Sequence, residues 1–355
     1  MPSLIIRFLG CKCSNCTLDL NGSNNGIYIV KIVFLCNKKI LVYTNCINNT
    51  TMKKLTLLFV LTFGVMVMAQ ETANRFIYEM TYKPKKDSAK LEKDLMVLDI
   101  SKSKSIYRDY ANVSQDSIMK ASMEKMQKAG TFDPDFYKKM KMPKISYKIN
   151  KTYPSMKMQY IEMISIGMSK PMYISYSEDL KFNWKILPDK AKIGEYNTQK
   201  ATTEFGGRKW TAWFSIDLPF QDGPYKFYGL PGLIVKIEDE TKDYSWVLQA
   251  NKKLSDYNEK TYMEQTFMPN ATVAELSKEK FDKTFNEYKK DPFGSMRQYL
   301  TPEVMKQKMP GSEKTIGDMM KEGERDMNRL YNSIDNPIEV KSTVQMGKGT
   351  QEVVK

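Results

Sequence analysis

The sequence contains no histidine, and its five cysteines all lie before Met52. Residues 52–355 therefore carry neither a thiol nor an imidazole. This absence excludes, for that part of the chain, a cysteine nucleophile, a serine–histidine–aspartate triad and the usual zinc sites. It also excludes disulfide bonds, so the fold has to be stabilised by its core. We expect no cofactor and no metal ion.

Long hydrophobic runs are also scarce, and the longest one has an unusual position. Uncharged, largely apolar residues 55–68 follow two lysines and end at Ala69, ahead of Gln70. A basic start, an apolar centre and a small residue at the exit are the pattern of a secretory signal peptide. The run is shorter than the about 20 apolar residues of a transmembrane helix. We therefore expect a secreted protein, periplasmic or at the cell surface after cleavage near Ala69-Gln70, without a transmembrane segment in the mature chain.

Residues 1–51 precede this signal, although a signal peptide normally opens a protein. The segment is rich in asparagine, isoleucine, lysine and cysteine, and it shows no sustained period. Its motif CKCSNC resembles a metal or redox cluster, but it would be lost with the signal. We predict that Met52 is the biological start, that residues 1–51 are a non-native upstream extension, and that residues 52–70 are the signal peptide.

The charge is basic but is not concentrated. The formal net charge of the whole chain is +14, with lysines and acids interspersed along the sequence. A nucleic-acid-binding face normally gathers its basic residues into a patch or a stripe. We therefore expect no nucleic-acid partner.

Residues 71–268 show short strand patterns separated by turn residues. Alternating apolar and polar residues predict strands at 76–83, 208–215 and 233–239, among others. Helical spacing appears once within this region, near 114–130, and Gly130 fits its C-terminal stop. Strands that follow one another without helices favour antiparallel pairing. The predicted fold is α+β and β-rich, a curved antiparallel sheet or partly open barrel with packed helices.

Residues 269–341 change to helical patterns. Thr272 and Glu275 have the spacing of a capping box, which predicts a helix that begins at Val273. A second helix is predicted over residues 312–331. We expect this helical C-terminal region to pack on the sheet, and residues 342–355 to form a loose tail.

The most distinctive stretch is a hexapeptide with two glycines and a proline. Pro231 and Gly232 predict a type II turn with a positive φ at Gly232. In the strand predicted to follow, Leu233, Val235 and Ile237 face the core, and Ile234 faces the other side. Because a strand and not a helix follows, the glycines do not fit a phosphate loop. A structural role is predicted for all six residues, Gly229, Leu230, Pro231, Gly232, Leu233 and Ile234.

The region around this hexapeptide, residues 196–239, resembles the signature of the GLPGLI family of exported Bacteroidetes proteins. Supporting motifs are RFIYEMTYK at 75–83, WTAWFS at 210–215, DGPYKF at 222–227 and DNPIE at 335–339. The resemblance implies secretion and a β-rich fold, and the family has no established biochemical activity. Members often carry a cysteine where this chain has Thr198, so no role of that thiol carries over.

These observations favour a non-enzymatic envelope protein that binds a hydrophobic ligand, a peptide or an outer-membrane partner. A curved sheet with helices on one side offers a concave surface for a ligand. The candidate ligand-binding residues are aromatic, namely Trp213, Phe220, Tyr225, Phe227 and Tyr228. Core packing is the alternative role of the same side chains. Trp210 and Trp213 are expected on opposite faces of their strand.

Two other functions stay open. Thioethers can select Cu(I) in an exported protein, although such sites usually add histidine or cysteine. Methionine pairs that favour copper handling are Met123 with Met126, Met140 with Met142, and Met156 with Met158. A carboxylate-based hydrolase would need two acids facing one cleft, and no acids in the sequence form a distinctive motif.

Overall fold

A computed structural model describes residues 16–22, 27–36, 39–48, 71–130, 141, 143–164, 172–308 and 313–340. Its contacts divide the chain into two units, Met1–Gln70 and Glu71–Lys355. The predicted signal peptide and the predicted C-terminal tail lie outside the described residues. Within the described part of the chain, no helix has the length and apolar character to cross a membrane.

The first unit contains three antiparallel strands, for which the sequence analysis made no assignment. They are β1 (Cys16–Gly22), β2 (Ile27–Cys36) and β3 (Lys39–Asn48), and β2 is the central strand. Isoleucine, valine and threonine are frequent in β2 and β3, and β-branched residues favour strands. That residues 1–51 are a non-native extension stays a prediction.

The second unit is built on one twelve-stranded sheet. Its strands are β4 (Ala73–Tyr82), β5 (Glu92–Ile100), β6 (Lys104–Asp109), β7 (Lys148–Thr152), β8 (Lys157–Ile164), β9 (Met172–Glu178), β10 (Lys185–Ile193), β11 (Tyr196–Phe205), β12 (Arg208–Ser215), β13 (Leu233–Asp239), β14 (Tyr244–Leu254) and β15 (Val273–Glu275). Their order in the sheet is β10-β11-β12-β13-β14-β4-β5-β6-β7-β8-β9-β15. Only the pairing of β15 with β9 is parallel. The predicted β-rich α+β fold is confirmed, with an open, mostly antiparallel sheet.

One face of this sheet carries the core. In β4 the side chains of Phe76, Tyr78, Met80 and Tyr82 are buried in alternation with half-buried neighbours. This is the period-2 pattern of a strand with one buried face. On β12, Trp210 is buried and Trp213 is half-buried, as expected for residues on opposite faces.

The core face is covered by the chain itself. The connection from β12 to β13, residues 216–232, lies over it and places Phe227 among core aromatic rings. The ring centroid of Phe227 lies 4.9 Å from that of Trp210 and 6.3 Å from that of Trp246. We call residues 216–232 the signature loop.

The helices are α1 (Ala111–Ser114), α2 (Asp116–Ala129), α3 (Tyr262–Phe267), α4 (Lys278–Lys290), α5 (Pro302–Lys306) and α6 (Ile316–Asn332), with a 3₁₀ helix at Gly294–Tyr299. Gly130 ends α2 with a φ of 64°, as predicted. Phe281 of α4 packs with Ile164, Ile174 and Tyr176 of β8 and β9. A C-terminal helix therefore packs on the sheet.

The prediction of a helix from Val273 is wrong. Residues 273–275 form β15, and α4 begins only at Lys278. Ser277 caps that helix, because its hydroxyl accepts a hydrogen bond from the Lys280 amide. The edge of β9 offers backbone partners to the β-branched pair Thr272-Val273, and this pairing outweighs the capping pattern.

The predicted backbone of the hexapeptide is also wrong in two details. The positive φ, 93°, belongs to Gly229 and not to Gly232. A Cβ on Gly232 would lie 2.1 Å from the Ser215 carbonyl oxygen, so glycine permits a close backbone approach there. Ile234 is fully buried, because a bulge opposite Trp213 and Phe214 breaks the alternation of β13.

Candidate functional site

The five aromatic candidates do not lie together. Tyr225 and Phe227 are buried, whereas Phe220 and Tyr228 are half-buried on the same core side. The ring of Phe220 packs against Phe76 at 5.4 Å between centroids. Trp213 lies on the opposite face of the sheet, where Lys200 Nζ stands 5.9 Å from its ring centroid. Ligand binding by these residues stays a prediction.

The signature loop is held by a lysine that the sequence analysis missed. Lys151 of β7 is fully buried. Its Nζ donates hydrogen bonds to the carbonyl oxygens of Gly223, Tyr225 and Phe227 at 2.8, 3.2 and 3.2 Å. Burial lowers the pKa of Lys151, while the Asp222 carboxylate, with which it forms an ion pair, acts in the opposite direction. The ammonium group thus fixes the path of the loop backbone.

The partner acid of Lys151 is surrounded by further donors. Asp222 is 1% exposed and accepts hydrogen bonds from the Ser105 hydroxyl at 2.6 Å and the Tyr153 hydroxyl at 2.5 Å. The Gly223 amide donates to the same carboxylate at 2.7 Å. Burial raises the pKa of Tyr153, and the charge of Asp222 adds to this shift. The carboxylate is therefore engaged in internal contacts.

A second buried lysine lies within the loop itself. Lys226 is fully buried, and its Nζ contacts the carboxylates of Glu178 and Glu339, the latter at 2.6 Å. Three tyrosine rings surround it with centroids 5.4–5.7 Å from Nζ, namely Tyr160, Tyr176 and Tyr225. Cation–π contacts of this kind favour the charged ammonium.

A buried acid, Glu162, lies beside these tyrosines, and one of its carboxyl oxygens has no hydrogen-bond partner among the described residues. Burial raises the pKa of Glu162 to about 8, although hydrogen bonds from Ser146 and Tyr160 oppose the shift. Among the described residues, Glu162 Oε2 and the buried Tyr147 hydroxyl find no hydrogen-bond partner. The raised pKa of Glu162 favours the neutral carboxyl group over the carboxylate.

Two other acids, Asp94 and Asp109, line a small depression in the surface. Asp109 accepts hydrogen bonds from the backbone amides of Ala111, Lys144 and Ile145 at 2.8–3.1 Å. Asp94 accepts one from the Tyr82 hydroxyl at 3.0 Å. Both carboxylates serve the local structure, and a hydrolytic role for them stays a hypothesis.

The methionine pairs are spread over several elements. Met158 is buried in β8, Met156 lies in the turn before that strand, and Met123 and Met126 are half-buried on α2. Met140 and Met142 lie outside the described residues. Over the ranges that the structure describes, no group of three or more acidic side chains could hold a metal ion.

The sequence analysis assigned no role to the three buried charged residues that hold the signature loop, Lys151, Asp222 and Lys226, although one signal was present. Ile149 and Lys151 occupy the same face of β7, and Ile149 is fully buried. A lysine at a core position of an alternating strand predicts a buried partner for its charge. The identity of that partner, Asp222, could not be derived from spacing along the sequence.

One segment of the chain matches a known protein family. Residues 206–236 match the family described as "Protein of unknown function (Porph_ging)", and this span contains the hexapeptide at 229–234. No curated protein matches the chain. Solved structures of PNGF-II in the C2 and P21 space groups are 13% identical, with a TM-score of 0.42. Each match covers 62% of this chain, which spans about a third of those structures, 33% and 34%. Over residues 206–236 the chain is thus similar to a family of unknown function.

Proposed function

We propose that this protein is an exported, non-enzymatic binding protein of the cell envelope, whose sheet and signature loop form a rigid scaffold. The observation that carries the proposal is the burial of the loop's charged groups. Lys151, Asp222 and Lys226 are each at most 1% exposed, and internal partners engage all three. A catalytic acid or base must reach a substrate, whereas these groups hold the loop in the core.

The binding partner is a hydrophobic ligand, a peptide or an outer-membrane protein. Trp213 supports this view, because it is the candidate aromatic that lies on the face opposite the core. Partly exposed tryptophans next to charged side chains are frequent anchors of binding surfaces. Lys200 and Lys236 are its register partners on the two neighbouring strands.

Native mass spectrometry of the protein released gently from the periplasm tests the proposal, together with a pull-down of envelope proteins. We expect a retained ligand mass or a captured partner, and a loss of either in Trp213→Ala. Tyr299→Ala is a matched control, because Tyr299 is an exposed aromatic elsewhere, with 55% exposure. A bare protein mass together with an empty pull-down would contradict the proposal.

Export itself is tested by N-terminal sequencing of the mature protein. We expect the mature chain to begin near Gln70, because the apolar signal pattern ends at Ala69. A mature chain that retains residues ahead of Met52 would contradict both the start site and the signal peptide.

The copper and hydrolase alternatives have less support. The buried side chain of Met158 is 1% exposed, so a Cu(I) ion would have to open β8 to reach its sulfur. Copper(I) titration of the wild type against Met140→Leu/Met142→Leu/Met156→Leu/Met158→Leu tests this alternative. Equal binding by the two proteins would end it.

A further inference from the structure

The chain segment that follows α6 packs its Ile338 side chain into the core cluster of the sheet. Residues 335–340, with the sequence DNPIEV, are called the strap. Asn336 and Ile338 are 3% and 8% exposed and point inward, whereas Asp335, Pro337 and Val340 are exposed. The strap therefore turns Asn336 and Ile338 toward the rest of the protein and leaves Pro337 between them at the surface. We call the surface that contacts the strap the groove.

One arginine makes three hydrogen bonds to the strap, two of them to its backbone. Arg208 donates hydrogen bonds to the Asn336 side-chain oxygen at 2.7 Å and to the carbonyl oxygens of Pro337 and Ile338, both at 3.1 Å. Its guanidinium is held by Asp239 at 2.7 Å and lies 5.2 Å from the Tyr244 ring centroid. Because both contacts come from the sheet, the arginine is oriented independently of the strap.

The groove also distinguishes the asparagine from other residues. The Asn336 side-chain nitrogen donates to the Lys83 carbonyl oxygen and to Asp243, both at 3.1 Å. The Tyr244 hydroxyl donates to the Asn336 carbonyl oxygen. The side-chain amide of Asn336 thus has partners for both its nitrogen and its oxygen, which accepts from Arg208. Neither aspartate nor leucine can reproduce this set of hydrogen bonds.

At the other end, the groove takes a carboxylate and leaves room for the backbone. Glu339 accepts a hydrogen bond from the Tyr225 hydroxyl at 2.5 Å and pairs with Lys226. The Val340 amide donates to the Gly206 carbonyl oxygen at 2.7 Å. A Cβ on Gly206 would lie 3.0 Å from the Glu339 Cα, so a side chain there would push the strap away.

We propose that this groove is a peptide-recognition site, which takes a segment of a partner protein with asparagine, isoleucine and glutamate at the spacing of the strap. The strap fills the groove when the partner is absent. The inference rests on the proposed binding function and names the partner as a polypeptide. Its support is that the recognising groups, Arg208 and Lys226, are held in place by residues outside the strap, and that such pre-organisation lowers the entropy cost of binding.

A labelled peptide with the sequence of residues 333–340, SIDNPIEV, tests the inference by fluorescence anisotropy on the full chain. Asn336→Ala weakens the protein's own strap, while Lys226 keeps both of its carboxylate partners, Glu178 and Glu339. We expect this variant to bind the peptide at least about tenfold more tightly than the wild type, whose strap competes. A peptide with alanine in place of the asparagine should bind about tenfold more weakly, and one with alanine in place of the exposed final valine should bind unchanged.

Hydrogen exchange on the wild type covers the case in which the variant does not fold. The amides of Asn336 and Val340 donate to the carbonyl oxygens of Pro84 and Gly206. Excess peptide should accelerate the exchange of both amides by displacing the strap. A folded variant that binds no peptide, equal binding by variant and wild type, or unchanged exchange under saturating peptide would overturn the inference.

The outcomes also separate this inference from the proposed function. A ligand or partner recovered from the periplasm, combined with failure of the peptide, removes only the groove assignment. Peptide binding in the absence of any recovered partner removes only the proposed envelope role.

Discussion

Lys151 and Lys226 hold their charge inside the core by two different arrangements. Lys151 Nζ donates to three loop carbonyls and pairs with Asp222, whereas Lys226 lies among tyrosine rings and two carboxylates. A buried ammonium without such partners costs several kcal/mol. Removal of one partner therefore leaves the other charge without compensation.

Lys151→Met is expected to lower the free energy of unfolding by about 3–5 kcal/mol, because Asp222 keeps a buried charge without its counter-ion. The double variant Lys151→Met/Asp222→Asn should recover part of this loss. Urea denaturation at neutral pH measures both. Lys157→Met, at an exposed position of β8, is the matched control and should change little. Equal stability of Lys151→Met and the wild type would contradict the role of the lysine.

Glu162 should make the stability depend on pH. Its pKa of about 8 in the folded protein lies above the ordinary value of 4.5, so the folded state binds the proton more tightly. Its contribution is fully present below pH 4.5 and is lost as the pH rises toward 8. We expect Glu162→Gln to gain on the order of 3–5 kcal/mol over the wild type between pH 5 and pH 9. Urea denaturation of both proteins at pH 5, 7 and 9 measures this gain. The prediction would be refuted if the difference between their free energies of unfolding were the same at all three pH values.

Glu264 is a control for this prediction, because its pKa is shifted in the opposite direction. Burial raises its pKa, but the Lys148 ammonium and the Thr261 amide outweigh burial and lower the pKa to about 2. Its contribution to stability is present above pH 4.5 and is lost as the pH falls through 2. Glu264→Gln should therefore cost about 1–3 kcal/mol at pH 7 and less at pH 2. A larger cost at pH 2 would contradict the ion pair.

At the scale of elements, the connection between the signature loop and β13 requires glycine at two positions, for different reasons. Gly232→Ala is expected to cost about 3 kcal/mol or more, because its Cβ would meet the Ser215 backbone oxygen at 2.1 Å. Gly229→Ala should cost about 1–2 kcal/mol from its positive φ of 93° alone, since its Cβ would find the Trp184 ring only at 3.9 Å. Thermal unfolding of both variants shows which of the two substitutions lowers the stability more. A more damaging Gly229→Ala would contradict the steric argument.

Local patterns were sufficient to predict several elements. The strands at 208–215 and 233–239 have the predicted bounds, because alternating side chains and flanking turn residues act over a few positions. The prediction of a helix from Val273 is wrong, because residues 273–275 pair with the edge of β9 instead. The pairing of Lys151 with Asp222 and the contact of Arg208 with Asn336 join distant parts of the chain. No local pattern encodes such pairs, so the groove was not predictable from sequence.

On the scale of the whole molecule, an open sheet has to prevent pairing of its edges with other chains. The edge strand β10 carries exposed Lys190 and Lys192, an exposed Pro188 and an irregular register, features that oppose edge pairing. We expect Lys190→Val/Lys192→Val to increase aggregation, measured by light scattering at equal concentration. Lys200→Val/Lys209→Val places the same residues on β11 and β12, which have neighbours on both sides. Equal scattering by the two double variants would contradict the protective role of the edge.

The pairing of β4 with β14 sets the order in which the sheet can form. Strands β4 to β9 and strands β10 to β14 each pair with the strand next to them in sequence. These two series can therefore assemble from local hairpins while the chain is still being synthesised. The seam between them closes only after Leu254 has emerged, because β14 ends there. Closing it joins distant parts of the chain and carries a loop-closure cost, so we expect the joining of the two series to be a slow step in folding.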